Sequence, residues 1–489
     1  MDSLTLLLLT PFIGALLVAL LPGDNRTLLR SVAIGASSLA LLLSWSLLWS
    51  FDSSSAAMQL GVNVPWNPRL GTSFALGVDG ISLPMVLLAT LLSLIAILAS
   101  ASITDKPKGY YALMLLLETA MLGVFMAQDW VLFYVFWELT LIPLFFLING
   151  WGGKGRQGAS LNFVLYTMGG SVFMLLALLL VFDEVGTHSF AFADILAGAS
   201  GLPAETQLLI FLGFLVGFGV KMPIFPLHGW LPLAHVEAPS PVSILLSGIL
   251  LKMGSYGLIR AVTMLPEAAM AMQDLLLALA LIAIIYGGLL AWRQSDLKRM
   301  IAYSSVSHMG VVLLGIATLN LYGLTGAVMQ MVAHGLVAAA LFLLIGLLYE
   351  RTHTRDINDY SSLVRTTPRF AFFTSLAFVA AVGMPGTAGF IAELHALIGG
   401  FERWGWLAVG LSLGVLISAA YAVRTVTRLF TGPVRAQMHG TADLQRGELL
   451  AASVLTLGFL LLGFMPAPAL ELMGASVSQL SELFNGIGG

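Results

Sequence analysis

Six side chains that can gain or lose a proton lie inside stretches apolar enough to form membrane helices: Glu138, Lys221, Lys252, His308, His334 and Glu393. An ionisable side chain near the centre of a bilayer costs roughly 2.5–3.5 kcal/mol even on the most favourable insertion scale, so it marks an ion or proton path. The alternative is a set of buried pairs that only hold helices together. Six such residues on as many helices favour the proton path.

The composition defines the class of protein that must position these residues. The chain has 489 residues, of which 58% are hydrophobic and 10% are charged, whereas soluble domains carry about 25% charged residues. A net charge of -3 provides no basic surface for nucleic acid. The sequence contains no cysteine, which excludes disulfides, thiolate zinc sites and cysteine-ligated iron–sulfur clusters within this chain. Any electron carrier would therefore belong to another subunit.

Apolar runs near the ~20 residues needed to span a bilayer recur along the whole chain. We expect about fourteen transmembrane helices, at 4–21, 31–50, 81–103, 110–128, 131–150, 160–182, 206–227, 240–260, 273–292, 300–318, 323–349, 370–399, 404–427 and 448–470. The first run has no basic residue before it and Arg26 and Arg30 after it, which favours a retained helix over a signal peptide. The predicted fold class is an all-α polytopic membrane protein.

The charges of the connecting segments support this count. With these spans, three basic residues lie on the side of the two termini: Arg69, Arg260 and Arg403. Sixteen lie on the opposite side, which we call the basic side: Arg26, Arg30, Lys106, Lys108, Lys154, Arg156, Arg293, Lys298, Arg299, Arg351, Arg355, Arg365, Arg369, Arg428, Arg435 and Arg446. The positive-inside rule then places both termini away from the cytoplasm.

Two of the spans contain residues that interrupt a helix. The seventh carries Pro223 and Pro226, and the twelfth carries Gly383, Pro385 and Gly386. Proline removes a backbone donor and clashes with a preceding carbonyl. Broken helices at membrane depth are tolerated only where protein or a wet cavity satisfies the freed groups. A simple kink is the ordinary interpretation of one break, and a matched pair favours a functional one.

The two breaks also indicate an internal repeat. The Met-Pro pairs at 222–223 and 384–385 are offset by 162 residues, and Gly169 and Gly335 by 166. Helices four to eight would thus match helices nine to thirteen in an inverted repeat, as in transporters. We expect N-terminal helices one to three at 1–109, a first repeat at 110–262, a second repeat at 273–430, and helix fourteen with a C-terminal tail at 448–489.

Several motifs resemble those of one family. The motifs are FWE at 136–138, KMP at 221–223, HGWLP at 228–232, LLK at 250–252, SSVSHMG at 304–310, AHG at 333–335 and GMPG at 383–386. In this order they resemble the M-type or D-type antiporter-like subunit of respiratory complex I and of its photosynthetic relatives. The match runs across nearly the whole chain. The stretches WGGK at 151–154, YTMGGS at 166–171 and LKMG at 251–254 look most similar to cyanobacterial and plastid forms.

The resemblance implies a role for each of the six residues. Glu138 matches the family glutamate that pairs with the lysine of the broken seventh helix, here Lys221. Lys252 matches the central lysine of the eighth helix. His308 and His334 match the bridging histidines, and Glu393 the terminal acid of the broken twelfth helix. Together they would form a hydrated polar axis along the membrane plane, in a subunit without a cofactor.

This sequence departs from the family pattern in two places. Leu233 stands in the loop after helix seven where family members often have an acid, which puts a proton-entry role of that loop in doubt. Glu118 lies inside the fourth helix and is not carried over from the family; it is either a neutral carboxyl group hydrogen-bonded to a neighbour or an accessory site. We also count His228, His235 and Glu237 as accessory candidates, although a metal site there would lack a fourth ligand.

The resemblance implies a proton-translocating membrane-arm subunit of a type I NAD(P)H or ferredoxin:quinone oxidoreductase. The iron–sulfur clusters and the quinone would belong to other subunits, and the partners of this chain would be lipids and the other membrane-arm subunits, including other antiporter-like subunits. The implied location is the cyanobacterial thylakoid membrane, or alternatively a bacterial plasma membrane, with both termini on the lumenal or periplasmic side. One alternative is a cation/proton antiporter. Another is a mainly architectural subunit that recruits a CO2-hydration module, as the Leu233 departure would fit.

Overall fold

The chain folds almost entirely into helices, because backbone groups within a lipid bilayer must be satisfied inside their own segment. The computed structural model describes residues 2–485. Its α-helices are α1 (Ser3–Leu20), α2 (Arg26–Ser46), α3 (Ser82–Ala99), α4 (Pro107–Met126), α5 (Trp130–Leu139), α6 (Leu141–Trp151), α7 (Arg156–Val185), α8 (Phe192–Ala199), α9 (Ala204–Lys221), α10 (Trp230–Glu237), α11 (Ser240–Leu245), α12 (Leu251–Met264), α13 (Pro266–Ala271), α14 (Gln273–Arg293), α15 (Leu297–Thr318), α16 (Leu321–Thr352), α17 (Leu363–Thr366), α18 (Pro368–Ala381), α19 (Ala388–Trp404), α20 (Gly410–Phe430), α21 (Arg446–Phe464) and α22 (Ala467–Asn485).

The number of spans agrees with the sequence prediction. Within the described residues, 13 helical segments are long and apolar enough to cross a membrane. The interrupted pair α18 and α19 occupies the place of the predicted twelfth span. Three segments are almost entirely buried within the protein: the stretch Ser240–Met264 at 100%, and α15 and α16 at 94% each. The protein is therefore a multi-pass integral membrane protein with a protein-enclosed core.

The seventh span is broken where its two prolines predict. Helix α9 ends at Lys221 and regular helix resumes at Trp230. The indole Nε1 of Trp230 donates to the carbonyl of Val220 at 2.8 Å, and the amide of Ile224 donates to the carbonyl of Gly219 at 2.8 Å. Protein groups thus satisfy carbonyls that the break removes from the helix.

The twelfth span is broken between α18 and α19. Gly383 and Gly386 adopt φ values of 76° and 91°, a region that L-residues with a side chain rarely occupy. Pro385 lies between them and cannot donate to a helical hydrogen bond. The local sequence therefore dictates this break as well.

Two elements were not expected from the sequence. Residues between the second and third spans form an antiparallel hairpin of β1 (Gln59–Asn67) and β2 (Thr72–Val78). The sequence predicted no further helix after the fourteenth span, whereas α22 (Ala467–Asn485) forms there. It packs against α3, α13 and α16, and its Ser476 hydroxyl accepts the amide of Gly80 at 2.9 Å.

The assignment of Arg260 to a connecting segment is also wrong. Helix α12 continues to Met264, so Arg260 lies inside it. Its guanidinium is 2.7 Å from the carboxylate of Asp79, and it lies over the ring of Tyr256 at 4.9 Å. The helix can continue past Arg260 within the protein because the charge of the arginine is paired with that of Asp79.

The packing of the helices is compatible with the predicted repeats. Helix α7 packs along α9, and α16 packs along α19; these pairs occupy corresponding places in the two proposed units. The inverted relation between the units, and the division of the chain into them, stay predictions.

Candidate proton-transfer site

Lys221, the last residue of α9, points into the protein beside the fifth span. Its side chain is buried. The ammonium group donates to the hydroxyl of Thr140 at 2.9 Å and to the carbonyl of Trp137 at 3.3 Å. It also lies 3.9 Å from the centroid of the Trp137 ring, which favours a cation. Two oxygens and an aromatic face thus stabilise the charged lysine.

A local interruption of the fifth span creates the Thr140 contact. Helix α5 ends at Leu139 and α6 begins at Leu141, with Thr140 between them. Pro143 follows three residues later, and its ring excludes a hydrogen bond to the carbonyl of Leu139. The sequence analysis missed Thr140, although a threonine three residues before a proline inside an apolar span was a usable signal.

Glu138 lies next to this contact but does not form the expected direct pair. Its side chain is half-buried, and its Oε1 atom is buried without a hydrogen-bond partner. The ion pairs of the described residues, with a limit of 4.0 Å, do not include Glu138 with Lys221. The lysine is held instead by Thr140 and Trp137. The pairing of Glu138 with Lys221 therefore stays a prediction.

Lys252 and His334 form a short polar contact in the core. The Lys252 ammonium lies 2.6 Å from Nδ1 of His334 and donates to the carbonyl of Ser247 at 2.6 Å. The segment Leu246–Leu250, just before Lys252, is π-helical, a distortion that is frequent at functional sites. A lysine that donates to Nδ1 requires the neutral imidazole to carry its proton on Nε2.

Two serines continue this contact. The Nε2 atom of His334 is 3.2 Å from the hydroxyl of Ser305, and that hydroxyl is 3.0 Å from the hydroxyl of Ser247. Each hydroxyl can donate and accept. Lys252, His334 and the two serines therefore form a small hydrogen-bonded network that joins three helical spans.

A close helix contact sets the distance between Lys252 and His334. A Cβ atom at Gly335 would lie 3.0 Å from the carbonyl of Gly248 and 2.6 Å from the side chain of Leu88. Only glycine lets α16 approach the eighth span this closely. The glycine that follows His334 therefore brings its ring to Lys252.

His308 and Glu393 form the next pair. The Nδ1 atom of His308 is 3.8 Å from a Glu393 carboxylate oxygen and 3.4 Å from the amide nitrogen of Gln330. The rings of His308 and His334 are 5.3 Å apart between centroids. Four of the six predicted residues thus lie in one buried group, which also includes Gln330, a residue that the sequence analysis did not single out.

The break in the twelfth span positions Glu393. A Cβ atom at Gly383 would overlap the carboxyl group of Glu393, so the backbone of the break packs directly on this group. Two cavities of about 10 Å³ each border both His308 and Glu393. Each volume is near that needed for one water molecule.

The six predicted residues therefore fall into two groups. One consists of Glu138 and Lys221 with Thr140, and the other of Lys252, His334, His308 and Glu393. Among the hydrogen bonds of the described residues, none joins Lys221 to Lys252. A continuous axis needs water between them, and it stays a prediction.

A cavity of about 800 Å³ opens among segments predicted on the basic side. Glu237 and Lys298 line it. The buried Lys298 ammonium donates to the carbonyl of Ala238 at 2.6 Å, and a Glu237 carboxylate oxygen accepts the amide of Gly155 at 2.8 Å. Charged groups of both signs thus line a polar entrance to the core.

His235 lies in the short helix α10 that borders this cavity. Its ring is buried and stacks on Phe342 with centroids 4.5 Å apart, and neither ring nitrogen has a hydrogen-bond partner. Burial and the charges of Lys298 and Lys252 hold the pKa of His235 well below its usual range. The ring is therefore a neutral base near neutral pH.

The accessory candidates do not converge on a metal. His228 packs between Phe225 and Tyr286, while His235 stacks on Phe342 and Glu237 binds a backbone amide. Over residues 2–485, the structure contains no group of three His, Cys, Asp or Glu side chains that could hold a metal ion. The last accessory candidate, Glu118, is buried on α4, with its neighbour Ser37 on α2.

Comparisons with known proteins show the family of this chain. A family model described as NADH:quinone oxidoreductase/Mrp antiporter, TM, matches residues 127–418. NAD(P)H-quinone oxidoreductase chain 4 2 of Thermosynechococcus vestitus is 41% identical over 99% of this chain and 92% of its own length. NADH-quinone oxidoreductase subunit M of Rhodobacter capsulatus is 40% identical over 93% of this chain and 90% of its own.

A solved structure has the same fold over the whole chain. A chain of respiratory complex I from Thermus thermophilus with bound NADH matches with a TM-score of 0.91 and 33% identity, covering 99% of this chain and 100% of that chain. With this match and the relatives above, the chain belongs to the family of NADH:quinone oxidoreductase and Mrp antiporter membrane subunits.

Proposed function

We propose that this chain is a proton-translocating membrane-arm subunit of a type I NAD(P)H or ferredoxin:quinone oxidoreductase complex. The observation that carries the proposal is the buried contact of Lys252 with His334, beside the pair of His308 and Glu393. Placing such ionisable groups against lipid would cost too much free energy, whereas a series of proton donors and acceptors enclosed by protein can transfer protons. Redox chemistry belongs to other subunits in this proposal.

The first group would drive the transfer. When Glu138 approaches Lys221, the pair would raise the affinity of the lysine for a proton; when they separate, that affinity would fall and the lysine could pass its proton on, with Thr140 and Trp137 holding the ammonium group until it does. Moving one charge against 100 mV requires about 2.3 kcal/mol, and breaking a buried ion pair costs about 3–5 kcal/mol. The interaction energy of one such pair is therefore large enough to move one proton against this potential.

The second group would pass the proton on. A charged Lys252 could transfer a proton to Nδ1 of His334 as Nε2 of the same ring releases its own proton toward His308, while the hydroxyl of Ser305 orients the Nε2 atom. The close approach of the two histidine rings leads to His308, and the adjacent cavities would hold the water that joins it to Glu393. Glu393, beside the second helix break, would be the exit acid.

The proposed entrance is the large cavity on the basic side. Glu237 and Lys298 line it, and the neutral ring of His235 lies beyond it toward Lys252. Leu233, which is 42% exposed, adds no acid to this route. In this proposal Lys252 is loaded through His235.

The location and partners follow from the family. We propose a thylakoid membrane, with both termini on the lumenal side. The partners would be other membrane-arm subunits, including further antiporter-like chains, and a quinone-reducing arm with iron–sulfur clusters. Co-purification would identify that arm, and a bound CO2-hydration subunit would identify the architectural alternative.

Proton uptake into vesicles that contain the purified complex tests the function. At matched electron flux, Glu138→Gln and Lys221→Ala should each lower proton uptake while the complex still assembles. Glu138→Asp should retain more uptake, since the charge survives on a shorter side chain. Wild-type uptake in both variants would contradict the proposal and leave a structural role for the pair.

The family description also includes cation antiporters, which makes sodium/proton exchange the second candidate. The same vesicles distinguish the two. Proton movement that depends on sodium at constant electron flux would favour exchange, whereas proton uptake that is independent of sodium favours the proposed pump.

A further inference from the structure

A second group of buried polar side chains lies between α2, α3 and α4, outside the proton-transfer site. Ser37, Ser93 and Glu118 are each at most 1% exposed. Both carboxyl oxygens of Glu118 and both serine hydroxyls lack an aligned hydrogen-bond partner. Buried polar groups in native proteins are almost always satisfied, so four such atoms indicate a ligand.

Contacts one heptad away on the same helices indicate that the three side chains face one another. On α2, Ser44 lies seven residues after Ser37, and its hydroxyl is hydrogen-bonded to the hydroxyl of Thr90 on α3 at 2.8 Å. On α4, Tyr111 lies seven residues before Glu118, and its hydroxyl donates to the carbonyl of Ser100 at 3.1 Å. Residues seven apart share a helix face.

The same spacing holds on α3. Ser93 lies three residues after Thr90 and seven before Ser100, so it shares their face and lies at a depth between the two contacts. Gly14 of α1 packs against both Ala36 and Leu115, which places Ser37 and Glu118 at a similar depth. Ser37 is also the polar neighbour of the Glu118 carboxyl group.

Within the described residues, no ion pair includes Glu118. Helix α3 contains no ionisable residue. The nearest arginine along α2 is Arg30, seven residues or about 10 Å from Ser37, and its guanidinium donates to the carbonyl of Leu98 at 3.0 Å. An ionised carboxylate without a partner is far too costly in such a site, so the group neutralises instead.

We propose that Ser37, Ser93 and Glu118 form a second proton-binding site, in which the protonated carboxyl group donates to one hydroxyl and accepts from the other. A carboxylic acid has one donor and one acceptor face, which matches two hydroxyls on two neighbouring helices. The ligand is one proton. This site goes beyond the proposed axis and does not depend on it.

The site is separated from the axis by α3. Leu88 and Leu92 of α3 pack against Gly335 and Gly248, beside His334 and Lys252. The apolar face of α3 thus lies toward the axis, and its polar face lies toward Glu118. Proton movement through the axis should therefore proceed without this site.

Infrared difference spectroscopy of the purified complex tests the proposal. Wild type minus Glu118→Gln, near neutral pH, should show loss of the carbonyl stretching band of one protonated carboxylic acid. Ser37→Ala and Ser93→Ala should each move that band to higher wavenumber, because a hydrogen bond is lost. Ser44→Ala, on the same face one heptad away, is the matched control and should leave the band in place.

Three results would overturn the inference: loss of a carboxylate band in place of the acid band, an acid band that does not move in either serine variant, or an acid band that sodium ions change, which would indicate a metal cation as the ligand.

Proton uptake in vesicles independently tests whether this site is separate from the proton-transfer axis. Glu118→Gln should retain wild-type uptake per electron, and reduced uptake in a fully assembled complex would contradict a site isolated from the axis. The infrared result stands whether or not the complex pumps protons.

Discussion

At the scale of single residues, neutral side chains hold the ionisable groups in place, as Thr140 does for Lys221 and Ser305 does for His334. Lys221, Lys252, His334 and Glu393 stand out because a charge inside an apolar helix is rare and costly. Thr140, Ser305 and Gln330 do not, since neutral polar residues are common inside membrane helices and satisfy themselves on their own backbone. Only the packing shows that Thr140 bonds Lys221 and that Ser305 bonds His334.

The Thr140 contact leads to the first prediction. Thr140→Val removes the hydroxyl acceptor of Lys221 at constant shape, and a hydrogen bond to a charged group contributes about 1.5–3 kcal/mol. The charged lysine should become harder to form, and proton uptake per electron should fall. Thr140→Ser is the control and should retain uptake; equal uptake in both variants would show that the contact is incidental.

Ser305 supports the second prediction. Ser305→Ala removes the hydroxyl that joins His334 to Ser247, so proton transfer beyond Lys252 should slow several-fold. Its neighbour Ser304 bonds the carbonyl of Ile301 in its own helix, which makes Ser304→Ala a matched control with little effect. The rate of proton uptake by vesicles at saturating substrate distinguishes them, and slowing in the control alone would refute the relay.

At the scale of elements, apolar length and the Pro and Gly signals predicted the spans and both broken helices. The hairpin and α22 were missed because each draws its order from tertiary contacts. The hairpin pairs its two strands across a short turn, and α22 is anchored at Gly80 through Ser476. Neither contact leaves a strong periodic pattern in the sequence.

The third prediction belongs to the break in the twelfth span. Gly383→Ala would place a Cβ atom against the Glu393 carboxyl group at a φ of 76°, a strain of order 1–3 kcal/mol. The acid should be displaced from His308, and proton uptake should fall to the level of Glu393→Gln.

The double variant should lose no more than either single one, because both changes act on one group. Gly169→Ala is the control, since a Cβ there meets no atom within 4 Å; it should pump normally. Additive losses in the double variant would separate the break from Glu393.

At the scale of the whole molecule, the distribution of basic residues predicts the orientation. The chain has no cysteine, so single cysteines can be introduced without a background. Thr104→Cys, exposed on the basic side, should react with an impermeant maleimide only from the cytoplasmic face. Ser53→Cys, exposed near the hairpin, should react only from the opposite face. The reverse pattern of labelling would invert the predicted topology.

The central claim is that Lys221 and Glu393, at opposite ends of the two groups, serve one proton path. The most direct measurement is the number of protons taken up per electron pair by vesicles with Lys221→Ala, with Glu393→Gln and with both changes. A single path predicts the same reduced ratio in all three. A lower ratio in the double variant, or a wild-type ratio in either single variant, would contradict it.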